Sequence, residues 1–142
     1  LVYEMGIPEI SNYIYKNTNN EDSIFVWGFL AEIYTLSNRK PATRYSCCNV
    51  ITGLIPWVNV GKSIDTSFYQ IEGTLYNLLK DLDENKPKYI IDSSTANIRF
   101  YGKYPINKYT ILHKYIGRNY VLDKIIKDIH IYKRNIYQNQ NL

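Results

Sequence analysis

Residues 23–45, SIFVWGFLAEIYTLSNRKPATRY, constrain the fold of this chain more than any other stretch. The apolar run Ile24-Phe25-Val26-Trp27 reads as a strand. Gly28 breaks it, residues 29–36 carry a short helical pattern, and Ser37-Asn38 turns the chain. A basic segment containing Pro41 then returns as extended chain toward Tyr45. Strand, glycine, helix and returning strand make one supersecondary unit. That unit places Arg39 and Arg44 near the carboxyl end of a central strand, where open α/β sheets commonly hold ligands.

The flanking sequence extends the same pattern. Pro8 and Glu9 suit the first turn of a helix that runs to about Lys16, with Ile7, Ile10 and Ile14 on one face. A polar turn at 17–22 leads into the first strand. Residues 48–63 read as a long loop with an unusual apolar content (Ile51, Leu54, Ile55, Trp57, Val58), which either lids the core or meets a partner. Asp65 or Thr66 caps a helix over 67–85 with the stripe Phe68, Ile71, Leu75, Leu78, Leu79 and Leu82. Pro87 stops it, and 88–92 form a short strand covered on both faces. An aromatic loop follows over 97–105. A helix over 108–116 ends at Gly117. Strands at 119–126 and 129–134 close the chain around a turn at Lys127-Asp128, the latter alternating as a half-buried edge strand does.

Helices alternating with short strands predict an α/β fold: a small Rossmann-like, mostly parallel sheet with helices on both faces and an antiparallel edge strand. Residues 1–134 form one domain and 135–142 a polar tail, since 142 residues fit a single core. The first residue is Leu1 rather than methionine, so the chain is expected to be a piece of a longer protein whose membrane segments lie outside it.

Charge and motifs narrow the chemistry. Seventeen Lys and Arg against 13 Asp and Glu give a net charge of +4, and the basic residues are dispersed, so nucleic acid is not an expected partner. A mildly basic surface does suit anionic lipid headgroups. Cys47 and Cys48 are adjacent, a geometry that disfavours a disulfide, and no zinc pattern is present. His113 and His130 have no metal-ligand neighbours in sequence. Gly28 lacks the further glycines of a dinucleotide turn, and Gly61-Lys62-Ser63 lacks the upstream glycine of a phosphate loop, position 56 being Pro56. No cofactor and no metal is expected.

The candidates that remain are Glu32, Arg39, Lys40, Arg44 and Asp92, with Trp57 as an interaction residue. Arg39 and Arg44 either hold a phosphoryl group or sugar acid by their planar forks, or pair with Glu32 and lock the loop. Asp92 either faces a ligand at a strand end or caps the Ser93-Ser94-Thr95 turn. On the residues alone, two functional readings stand. One is a free-standing α/β enzyme or phosphate/sugar-binding protein using Arg39, Arg44 and Asp92. The other is a protein-binding module using the Trp57 loop.

A third reading comes from resemblance. Asp22, Ile24, Val26, Trp27 and Gly28 are followed by Glu32, Tyr34, Leu36, Ser37 and Arg39, then by Pro41, Thr43, Arg44 and Tyr45. Lys86-Pro87-Lys88-Tyr89-Ile90-Ile91 after a helix, Tyr120-Val121-Leu122 and Ile131-Tyr132-Lys133-Arg134 complete the series. This pattern resembles the soluble C-terminal domain of the dolichyl-phosphate-mannose–protein mannosyltransferase-like membrane glycosyltransferases. It departs at Asn38, where the pattern favours glycine, and around Trp57, which has no counterpart. The resemblance implies a transferase that takes a sugar from a polyprenyl-phosphate carrier. Its catalytic acidic residues would lie between transmembrane helices, outside this chain, so no catalytic residue is carried over. The chain would then be a non-catalytic, extracytoplasmic accessory domain. Its partners would be the transmembrane part of the same polypeptide and, beside it, anionic lipid headgroups or a lipid-phosphate-linked sugar.

Overall fold

A computed structural model describes residues 4–135; the last seven residues of the expected tail lie outside them. The elements are α1 (Ile7–Asn17), β1 (Ser23–Trp27), α2 (Glu32–Ser37), β2 (Lys40–Pro41), α3 (Asn49–Thr52), α4 (Thr74–Asn85), β3 (Tyr89–Asp92), α5 (Thr110–Asn119), β4 (Tyr120–Ile126) and β5 (Ile129–Arg134). They build an α/β domain around a five-stranded open mixed sheet in the order β2-β1-β3-β5-β4. β1 pairs in parallel with both β2 and β3, while β5 pairs antiparallel with β3 and β4.

The period-2 alternation of β1 and β3 sorts their side chains between two cores. Ile24, Val26, Tyr89 and Ile91 meet Ile7, Ile10 and Ile14 of α1 and Ile33 of α2 on one face. Phe25, Trp27 and Ile90 meet Leu78 and Leu82 of α4 and Leu112 and Ile116 of α5 on the other. Ile24, Phe25, Val26 and Trp27 are all fully buried. Each large apolar side chain removed from water in this way contributes roughly 1.5–3 kcal/mol, which is why this run can nucleate a layer on either side.

Four expected features are corrected. The helix expected over 67–85 forms only from Thr74. Gly73 adopts φ 82 and starts it, and 67–69 make a separate 3-10 turn. The backbone N–H of Ile71 is drawn away to the carbonyl of Val50, so Phe68 and Ile71 leave the stripe and are 89% and 57% exposed. Gly117 does not end its helix. α5 runs through it to Asn119, held by buried Leu112 and Ile116 and by the Tyr115 hydroxyl donating to the Leu82 carbonyl. The strand at 129–134 is not the edge: β5 lies between β3 and β4, with Ile129 and Ile131 fully buried, and β4 takes the edge with most of its residues exposed. The loop of 48–63 contains the short helix α3. The turn at Lys127-Asp128 forms as expected, with both residues at positive φ (46 and 66), the geometry that matches a two-residue hairpin to strand twist.

Candidate functional site

The topology fixes where each candidate residue falls. Lys40 pairs with Ser23, the first residue of β1, so the chain enters β2 at the amino end of the parallel strands. Arg39 therefore sits at that end, opposite to the carboxyl end expected for it. α2 ends with Asn38 in the left-handed region (φ 53), a conformation asparagine tolerates, and this turn aims Arg39 back toward the end of α1. Its guanidinium donates to the Thr18 hydroxyl (2.7 Å), Asn20 Oδ1 (3.3 Å) and the carbonyls of Asn38 (2.9 Å), Tyr15 (3.3 Å) and Thr18 (3.0 Å). A guanidinium has five N–H groups, and these five acceptors take all of them. The side chain also lies over the Tyr15 ring, and the residue is buried. Nothing remains to hold a phosphate.

Arg44 is engaged differently. Its Nε and Nη2 form a fork on the carboxylate of Asp81 in α4, at 3.0 and 2.9 Å, and its backbone N–H donates to the same carboxylate. The Arg44 hydrogen bonds hold the Asp81 carboxyl below the usual carboxylate range, against the opposing effect of burial. Neither arginine pairs with Glu32. That carboxylate meets Arg99, at 2.5 and 3.2 Å, and Arg99 also donates to the Phe29 carbonyl (2.9 Å) and lies over the Phe29 ring. The Arg99 contact lowers the Glu32 pKa.

Asp92, at the carboxyl end of β3, caps the turn that follows. Its Oδ1 accepts from the backbone N–H and the hydroxyl of Ser94, at 2.9 and 2.6 Å. Burial raises its pKa, and the two Ser94 hydrogen bonds oppose that shift without cancelling it. Arg39, Arg44 and Asp92 thus belong to three separate sets of partners and do not converge on one pocket.

The carboxyl end of the parallel strands, where a ligand crevice is expected, is filled. Gly28 has φ 135, and a Cβ there would lie 1.9 Å from the Ser93 hydroxyl oxygen, so the chains leaving β1 and β3 touch. Gly28 is a glycine for close packing of two loops. Trp27 is boxed edge-on by Tyr101 and Tyr109, and its indole N–H donates to the Tyr104 carbonyl at 2.8 Å. The Tyr101 hydroxyl donates to Asn49 Oδ1 (2.6 Å), and the Tyr104 hydroxyl meets Thr66 Oγ1 (2.8 Å), which donates to the Thr52 carbonyl. The Tyr109 hydroxyl is buried without a partner among the described residues. Burial raises the pKa of all three phenols, so they remain neutral structural groups. Cys48 is likewise buried, its thiol pushed up to about 12, and burial raises that of Cys47. Neither thiol is an activated nucleophile. Among the described residues no group of three His, Cys, Asp or Glu side chains is placed to hold a metal ion, and no helix is long and apolar enough to cross a membrane.

Above this plug lies the surface of the Trp57 loop. Ile51 and Leu54 fold into the core, while Trp57 and Val58 turn outward and are 77% and 69% exposed. Trp57 packs edge-on against Phe100 from the loop after β3, with ring centroids 6.2 Å apart. Sequence reasoning missed Asp81, Arg99 and Phe100. Asp81 reads as one polar position on a helix. Arg99 acts on a carboxylate 67 residues away, and no local pattern announces such a partner.

The architecture defines the class: an α/β domain with a five-stranded mixed sheet, parallel at its centre. Comparison of the sequence with family models and curated proteins, and of the structure with solved structures, found no match.

Proposed function

We propose that this chain is an accessory, non-catalytic extracytoplasmic domain of a polyprenyl-phosphate-sugar-dependent membrane glycosyltransferase. It lies beside a membrane-embedded active site that the chain does not itself contain. The observation that carries the reading is that Glu32, Arg39 and Arg44 of the signature stretch are each engaged within the domain, while Lys40 is exposed. Arg39 is closed on five acceptors, Arg44 on Asp81 and Glu32 on Arg99. A signature whose Glu32, Arg39 and Arg44 serve the fold is what a scaffold needs, and what an enzyme using Arg39 and Arg44 does not have. We also infer that the sheet is a reduced Rossmann-like one; its parallel centre β2-β1-β3 and the helices on both faces support this.

The test is the state of the polypeptide in its own cell. Peptides of this chain are expected in the membrane fraction, resistant to alkaline extraction. They should be continuous with multi-spanning segments and cleaved by protease added to the outer face. Recovery of the chain as a freely soluble polypeptide overturns the reading.

A second reading has one observation in its favour. The outward Trp57 beside Phe100 suits a protein-binding module. Co-purification of a partner lost on Trp57→Ala, from a chain that is not membrane-bound, would replace the first reading with this one.

A further inference from the structure

The loops leaving β2 and β3 meet in one surface that carries exposed rings beside lysines. Trp57, Val58, Ile64 and Phe100 are 77%, 69%, 43% and 39% exposed. Lys103 ties the two loops together, its ammonium donating to the carbonyls of Gly61 (2.7 Å) and Ile64 (2.8 Å), which leaves one of its three N–H groups for the outside. A depression of about 420 Å³ lies beside Phe100, lined by Val60, Lys62, Asn97, Phe100, Gly102 and Lys103.

The backbone is bent to present these rings. Trp57 and Phe100 both hold positive φ, 67 and 72, and so do Asn97 and Arg99. For a bulky side chain that conformation costs on the order of 1–2 kcal/mol, and at Arg99-Phe100 it is accompanied by the clamp of Arg99 on Glu32 and the Phe29 carbonyl. A ring that only needed to be buried would not require the strain. The charge around the rings has one dominant sign. Lys62, Lys103 and Lys108 stand against Asp65, which is already turned onto the Ser67 N–H.

We propose that this surface docks on an anionic lipid bilayer, with Trp57 and Phe100 entering the headgroup layer and Lys62 and Lys103 meeting lipid phosphates. The proposal deepens the accessory-domain reading and rests on it for the presence of a bilayer. The composition decides between a bilayer and a protein partner. Lysine is depleted from the cores of protein interfaces. Tryptophan, phenylalanine and lysine together are what the membrane interface favours, the rings at headgroup depth and the ammoniums snorkelling to phosphate.

The protein carries its own reporter, because Trp27 is fully buried and Trp57 is not. Titration of the 142-residue chain with phosphatidylcholine vesicles containing phosphatidylglycerol should shift the tryptophan emission to the blue and shield it from acrylamide. Pure phosphatidylcholine vesicles should do so far less, and added salt should weaken the effect. Trp57→Ala, read by sedimentation, and Phe100→Ala should each lower partitioning on the order of tenfold. Lys62→Gln should lower it about fivefold, and Lys16→Gln on α1 should leave it unchanged. Circular dichroism checks that each variant is folded. Absence of partitioning, or partitioning that Trp57→Ala and Phe100→Ala both leave intact, overturns the proposal. If that happens while the chain still fractionates with integral membrane proteins, the docking surface alone is lost. If the chain is freely soluble in the cell, the accessory reading is lost with it. Shielding of Trp57 by a detergent-solubilised membrane protein but not by vesicles also overturns it, in favour of a protein contact.

Discussion

The two ends of the parallel strands are held by different balances of charge and aromatic packing. At the amino end, the turn from α2 into β2 is held by charges. Arg39 closes on the last turn of α1, and Arg44 forks onto Asp81 of α4. At the carboxyl end, the loops after β1 and β3 are packed against each other chiefly by aromatic rings and neutral hydroxyls, Trp27, Tyr101, Tyr104 and Tyr109 with Thr52 and Thr66, and one ion pair, Arg99–Glu32, ties the same two loops. Open α/β sheets usually leave that end vacant for a ligand. Here it is plugged, and the exposed rings stand on top of the plug. The difference teaches that a strand-glycine-helix stretch does not by itself mark an open crevice.

The sharpest way to break this comparison is at Gly28. Gly28→Ala forces a Cβ to 1.9 Å from the Ser93 oxygen at φ 135. It should cost about 3 kcal/mol or more, from overpacking together with backbone strain. Urea unfolding measures the loss. Ser93→Ala in the same chain should restore part of it, since the hydroxyl oxygen is the nearest obstacle. If Gly28→Ala is nearly neutral, the two loops are not closed on each other and a crevice remains open.

At the other end, Arg39→Met should cost roughly 2–3 kcal/mol, because it removes a buried guanidinium that makes five hydrogen bonds, among them those to the part-buried carbonyls of Thr18 and Asn38. Arg39→Lys should recover little of this, since an ammonium cannot reproduce a planar fork. An arginine serving mainly a ligand would show the reverse: near-normal urea midpoints and a lost binding activity.

What the sequence made legible follows from distance along the chain. The burial of the 88–92 strand on both faces and the turns at Asn38 and Lys127-Asp128 are decided within a few residues and formed as read, and of the two readings of Asp92 the cap is the one that formed. Gly117 was misread for want of a tertiary term: it is a poor helix residue, but Leu112, Tyr115 and Ile116 hold its helix down. Phe68 and Ile71 had helical spacing, yet Gly73 interrupts the backbone before the stripe can form. The partners of Arg44 and Glu32 lie 37 and 67 residues away. Glu32 is the carboxylate nearest in sequence to both arginines, and charge alone does not choose among acidic partners.

Asp81 tests the amino end by pH. Its folded pKa is lowered by Arg44, so the pair stabilises fully above the ordinary, unfolded carboxylate pKa and the effect is lost as pH falls through the lowered folded value. Asp81→Asn should therefore lower the urea midpoint at neutral pH and converge with the parent under strong acid. The loss should be smaller than that of Arg39→Met, because the Arg44 side chain is half exposed and solvent screens the pair. A constant gap across pH would assign the effect to hydrogen-bond shape rather than to charge.

Asp92 should give the smallest effect and one of opposite sign. It is an acid at the end of the sheet that relies mainly on aromatic packing, and burial raises its folded pKa despite two hydrogen bonds from Ser94. The folded state then holds the proton more tightly than the unfolded state. The charge consequently costs stability above the raised value, and the cost fades as pH falls through it toward the ordinary carboxylate range. Asp92→Asn keeps the Oδ1 acceptor and removes the charge. Its urea midpoint at neutral pH should lie slightly above that of the parent, and the two should meet in acid. A midpoint below the parent at neutral pH would mean that the Ser94 cap depends on the full charge. The carboxyl end would then be held as the amino end is, and the contrast between them would fail.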